Sequence, residues 1–289
     1  MQLSTDDSVL RSGRALLGFM SEEEAAAFVS SQTAGSWEEL RPVWQDARAA
    51  YEELPLFEPQ PPKLEDLPLE VMEELEAVRS APPFQQQFAG KEVRFALVGL
   101  EHIVAFQQFI DTQFSTETAG RELDENNDLL TKVKLCLPRD FNANVNIAVD
   151  QATMSASLSS LSRNLNVVGM HAGQVPGQPF ALSFLVALGG NWVQVIEFEG
   201  RYFLKNGYHR VWLLHNRGDQ SVPAIVTKAT AVEEIGIGPG FFPPALILSE
   251  RPPLFRHFFD ARLAPELQLK STMKVITFSA NQFVLPRLP

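Results

Sequence analysis

Apolar residues in the first part of the chain recur at helical spacing. Ser21-Glu22-Glu23-Glu24 precedes Ala25-Ala26-Ala27-Phe28-Val29, and Ser36-Trp37-Glu38-Glu39 precedes the run 40–54. Both are the capping-box arrangement, in which a Ser side chain and a Glu three residues later satisfy each other's backbone N–H groups. In the second run Leu40, Val43, Trp44, Ala47 and Tyr51 form one stripe, which either docks on the same chain or binds a partner. Pro55, Pro59, Pro61 and Pro62 make an extended connector. A third helix is predicted with Pro68 in its first turn, Leu69, Met72, Leu75 and Val78 on one side, and Pro82-Pro83 as its end.

From Lys91 the period changes to two. Strands are predicted over 93–98, 132–137, 145–149, 165–170, 180–188 and 192–198, with a polar helix and loops across 112–130. The segment 100–111 reads as a short helical or extended piece. Glu199-Gly200 signals a hairpin into 201–205, a helix follows over 208–217 up to Gly218, and strands are predicted over 222–226 and 273–278. The expected fold class is α+β: an acidic helical region over 1–83, then a mixed-sheet domain over 91–289 with a β-rich insertion and a C-terminal extension.

Charge sharpens this division. The net charge of −11 comes from the N-terminal part, since 1–90 holds 17 acids and 6 bases while the remainder holds 18 of each. An acidic face repels phosphate backbone and the rest is neutral, so nucleic acid is not an expected partner, whereas a protein partner for the acidic helices is compatible. Cys136 is the single cysteine, which excludes an intrachain disulfide and fits a reducing compartment and a buried thiol. Acids near Met1 in place of bases, and no apolar run approaching about 20 residues, lead to the expectation of a cytoplasmic protein without a membrane span.

One segment carries chemistry. A strand ends in Lys205, the turn is Asn206-Gly207, and a helix opens with Tyr208, His209 and Arg210. The first turn of a helix has unpartnered N–H groups and the positive end of the dipole, so it favours an anion. Gly207 allows positive φ and close backbone approach. Two cationic donors, His209 and Arg210, oppose the dipole unless an anion sits there, and Arg210 can hold a phosphate bidentately. The alternative is an ordinary helix start capped by Asn206, with His209 and Arg210 satisfied by neighbouring acids or carbonyls.

The stretch 203–214, with Gly218 and Val222-Pro223-Ala224-Ile225-Val226 after it, resembles the ParB/sulfiredoxin-like superfamily. There a strand leads into a Gly-x-His-Arg turn, followed by a helix and a Val-Pro strand. Val98-Gly99-Leu100-Glu101-His102-Ile103-Val104, with Gln107, Gln108 and Asp111, resembles the opening segment of those domains. The resemblance covers 93–228 and implies that Gly207, His209 and Arg210 hold nucleotide phosphates, with Asn206 and Tyr208 flanking; Lys205 joins them by its place just before the turn. Sulfiredoxins place a catalytic cysteine where this chain has Tyr208, so sulfinic acid reduction is not expected. The helix-turn-helix that follows in chromosome-partition proteins is not found either. Asp111 and Glu197 stand as candidate carboxylate bases by position.

The remaining histidines, His102, His171, His215 and His257, are scattered without metal spacing. The stretch 251–259 is aromatic and basic, either a lid over the site or a packed segment. The leading expectation is therefore a nucleotide- or phosphate-binding protein. If it is a catalyst, phosphoryl transfer or NTP hydrolysis with Mg²⁺ and ATP or CTP is the implied chemistry. The alternatives are a non-catalytic protein-interaction module that keeps the fold, and a DNA-associated regulator or nuclease.

Overall fold

The computed structural model describes residues 9–125, 127–139, 145–160, 165–173, 181–238 and 240–280. The chain divides into two compact units, one of 1–139 with 191–271, the other of 140–190 with 272–289.

The chain opens on a strand, β1 (Leu10–Ala15), within a region that reads as helical by sequence. Two helices follow, α1 (Glu22–Gln32) and α2 (Trp37–Glu52), and each starts on the capping box anticipated for Ser21 and Ser36. The α2 stripe docks on its own chain: Trp44 Nε1 donates to the Met20 carbonyl at 3.1 Å, and Tyr51 meets Phe19 edge-on at 5.0 Å. Next come β2 (Leu64–Asp66), α3 (Met72–Ser80) and α4 (Pro82–Phe88). Leu69 and Pro68 belong to a 3-10 turn ahead of α3, and Pro82 both closes α3 and opens α4, whose missing N–H costs nothing at a first helical position.

β3 (Arg94–Gly99) follows, and two three-residue strands, β4 (Ile103–Ala105) and β5 (Phe109–Asp111), make 100–111 extended rather than helical. Two helices, α5 (Thr112–Glu125) and α6 (Leu129–Cys136), complete this part. The expected strand over 132–137 is instead helical. Asp128 caps it by accepting from the Thr131 N–H at 2.7 Å, and Val133, Leu135 and Cys136 are buried.

The second unit holds β6 (Asn146–Asp150), β7 (Ser155–Ser160), β8 (Leu165–Gly173) and β9 (Ala181–Leu188). Phe180, placed by sequence at the head of a strand, lies outside the described residues. The first unit resumes with β10 (Gln194–Phe198), β11 (Arg201–Asn206), α7 (Tyr208–Asn216) and β12 (Ser221–Lys228). It ends through α8 (Pro244–Ile247) and β13 (Glu266–Lys270). The last strand, β14 (Lys274–Ser279), belongs to the second unit.

The main sheet runs β2-β3-β12-β10-β11-β4, with β10/β12 and β11/β4 parallel and the other pairs antiparallel. An antiparallel sheet β13-β1-β5 accompanies it. The core is aromatic, with Trp192, Phe106, Phe203, Phe242, Phe255 and Phe258 fully buried. Phe255 and Phe258 settle the segment 251–259 as packed structure rather than a lid. No helix among the described residues is long and apolar enough to cross a membrane.

Candidate functional site

β11 delivers the chain to the start of α7. Its pairing with β10 passes from Leu204↔Val195 to Asn206↔Gln194, so Lys205 is the extra residue of a bulge. The Lys205 ammonium lies 3.3 Å from the Glu234 carbonyl, and burial holds its pKa below the ordinary lysine value. Asn206 Oδ1 accepts the Gly207 N–H at 2.9 Å.

Gly207 itself is the residue before the helix, with φ 97° and ψ 13°, a left-handed conformation that glycine adopts without a steric penalty. Its carbonyl accepts from the N–H groups of Arg210 and Val211, both at 3.0 Å. A Cβ here would sit 2.7 Å from Val193 Cγ2 and 2.9 Å from Val193 Cα. The close approach that glycine permits at this point is to the Val193 backbone.

The next three residues have distinct surroundings. Tyr208 is buried, and its hydroxyl oxygen accepts the N–H groups of Phe106 at 2.9 Å and Gln107 at 3.2 Å. Burial drives the phenol pKa well above its usual value. The ring stands among Phe106, Phe255 and Phe258. His209 meets Phe114 of α5 edge-on at 5.3 Å. The Arg210 guanidinium donates to the Asn191 carbonyl and acts electrostatically on Cys136. Burial pushes the Cys136 thiol up to about 12.

The structure thus brings all six sequence-predicted residues to one end of α7 and surrounds three of them with partners that no local pattern reveals. Gln107, Phe114 and Asn191 join the turn from elsewhere in the first unit. The two candidate carboxylates separate. Asp111 lies next to this end, accepting the Phe114 N–H at 2.7 Å and facing Arg11 at 4.0 Å. Glu197 pairs with Tyr202 at the far end of the β10–β11 hairpin, four strand residues or roughly 13 Å from Asn206, and its carboxylate meets Lys228 at 3.3 Å. Arg11, from the unanticipated β1, faces Asp111 and is also held by Glu117 at 2.9 Å, a pairing that no sequence pattern indicates.

A cleft of about 560 Å³ opens at the other end of α7, lined among others by Lys63, His102, His215, Gln220 and Arg256. It contains none of the six turn residues. His215 Nδ1 lies 3.0 Å from the Asp219 carbonyl, so the helix's last turn uses this histidine locally. Among the described residues no cluster of His, Cys, Asp or Glu could hold a metal ion.

No protein-family model, no curated protein and no solved structure matches this chain.

Proposed function

We propose that this is a nucleotide- or phosphate-binding protein with a ParB/sulfiredoxin-like core, and that the anion is taken at the N-terminus of α7. One observation carries the reading. α1, α2 and α6 start under a Ser or Asp side chain that accepts from the first turn; α7, like α3, α4 and α8, has no side-chain cap, and among these it alone starts under a left-handed glycine. No acid stands in its first turn, and Lys205, His209 and Arg210 flank the glycine in the sequence. That distribution of charge suits a ligand with negative oxygens.

Arg210 donates to the Asn191 carbonyl, and its planar guanidinium is the group suited to a bidentate phosphate contact. In this reading Arg210 grips phosphate, and His209 and Lys205 add charge beside it. A Mg²⁺ ion would come bound to the nucleotide's own phosphates, with Asp111 as the nearby carboxylate. Positioning and neutralisation would then carry any phosphoryl transfer.

Calorimetry with ATP, CTP and GTP in the presence of Mg²⁺ tests the proposal. Arg210→Ala is expected to weaken binding about ten- to a hundredfold, the effect of losing a charge-assisted contact of roughly 1.5–3 kcal/mol. Arg217→Ala, beyond the last residue of α7, should leave affinity unchanged. Both variants must melt near the parent temperature, because Arg210 also holds the Asn191 carbonyl. A parent that binds none of the three nucleotides, or two variants that behave alike, would dismiss the phosphate reading.

A further inference from the structure

The second unit is two thin sheets with an uneven distribution of apolar side chains. In the sheet β14-β7-β6, Ile276, Leu158 and Ile147 are cross-strand neighbours, and so are Phe278, Ala156 and Val149. Residues in register share a face, so one side of this sheet is apolar. The other side is mostly polar, with Ser155, Ser157, Ser159, Thr277 and Ser279 alongside Val275 and Ala148. In the hairpin β8–β9, Met170 stands opposite Phe184 and Ala172 opposite Leu182, again on one face.

The two apolar faces meet where Phe184 stacks on Phe278 at 4.3 Å. The cover stops short of the rest. On β6, outermost in its sheet, Ile147 is 69% and Val149 is 68% exposed; on the hairpin Met170 is 62% and Leu182 is 51% exposed. Eleven of the seventeen large hydrophobic side chains exposed among the described residues belong to this unit. Val275 and Leu185 point to the outer faces, and Met154 and Met273 lie outside the strands. A sandwich buries the facing sides of both sheets, so Ile147, Val149, Met170 and Leu182 mark one that is unfinished.

We propose that a second copy of this chain completes it, the β6 edge and hairpin of each copy covering those of the other in an isologous contact. Charge selects this occupant. Residues 140–190 and 272–289 contain only Asp140, Asp150, Arg163, Lys274 and Arg287 as charged side chains, while the rest of the chain carries 33 acids and 21 bases. Two copies meeting through the first unit oppose like charge; through this unit they do not. The same stretches hold no Trp or Tyr and few bases, which disfavours a lipid interface or nucleic acid.

Sedimentation of the full chain from about 1 to 100 μM tests this against the monomer mass. The parent should run at twice the chain mass. The double variant Ile147→Lys/Val149→Lys should weaken association more than a hundredfold while keeping the parent's circular dichroism, since both side chains are already mostly outside. Thr277→Lys, on the serine-rich face of the same sheet, should associate as the parent does. A parent that stays monomeric throughout overturns the proposal, as does a double variant that dimerises normally. Dissociation by Thr277→Lys also overturns it, because the apolar face would then not be the contact. If a monomeric parent floats with neutral phosphatidylcholine vesicles, the face belongs to lipid instead.

Discussion

α1 and α7 begin in opposite ways, and the contrast separates what a helix needs from what a site needs. At α1, Ser21 Oγ accepts the Glu24 N–H at 3.2 Å and Glu24 returns to the Ser21 N–H at 2.8 Å, with Glu22 and Glu23 beside them. Every group there complements the positive end of the dipole within four consecutive residues. At α7 no side chain caps the start, and no acid stands in the first turn. The short 3-10 helix at Phe255–Phe259 adds a third solution: His257 Nδ1 accepts the Leu254 N–H at 3.0 Å. The first start stabilises a helix unaided. The α7 start depends on distant elements for its shape, and that dependence fixes the geometry of the candidate site.

The largest effect expected from this contrast is at the glycine. Gly207→Ala combines a left-handed backbone with a clash against the Val193 backbone, and about 3–5 kcal/mol of stability should be lost in denaturant unfolding. A loss below about 1 kcal/mol would mean that this turn relaxes freely, and the contrast with α1 would fail.

Next in size is the imidazole cap. Burial, aided by Arg256 and opposed by Asp260, lowers the His257 pKa to about 4. The unfolded chain binds this proton more readily than the folded one. The contribution is therefore complete above about pH 6.5, declines as the pH falls toward 4, and is gone below it, for a total of roughly 3 kcal/mol. The parent minus His257→Gln difference in stability should shrink across that window. A difference flat with pH would show that the histidine is not held neutral.

Tyr208→Phe comes third. It leaves the N–H groups of Phe106 and Gln107 without their acceptor, and about 2 kcal/mol should be lost. The smallest effect is expected at the self-sufficient starts, where Ser21→Ala or Ser36→Ala should each cost about 1 kcal/mol. Should the serines exceed Tyr208 in cost, the α7 start would be the less demanding of the two.

The same distinction explains what the sequence disclosed. Ser21 and Ser36 were readable because a capping box lies within four residues, and the hairpin at Glu199-Gly200 because its turn chemistry is equally local. The alternation in 132–137 misled because six residues fit either period, and the decisive Asp128 cap lies outside the run. β1 escaped notice because Leu10–Ala15 is polar by composition and becomes a strand by pairing with β13 and β5. At the site, the Asn206-Gly207 turn could be seen, but not the partners of its neighbours. Phe106 and Gln107 stand about a hundred residues before Tyr208 in the chain, and Asn191 precedes Arg210 by 19.

The course of the main sheet has a consequence for synthesis. β2, β3 and β4 leave the ribosome before the second unit's 140–190 stretch, while β10, β11 and β12, which lie between β3 and β4 in the finished sheet, emerge after it. β1 finds β5 early, but its other partner β13 is almost the last strand made. The early strands thus have only part of their pairing, β2 with β3 and β1 with β5, while β4 and the second edge of β3 stay open. A chain ordered in this way closes its main sheet only after β10, β11 and β12 are made, when Val193 can donate to the Cys136 carbonyl at 2.8 Å.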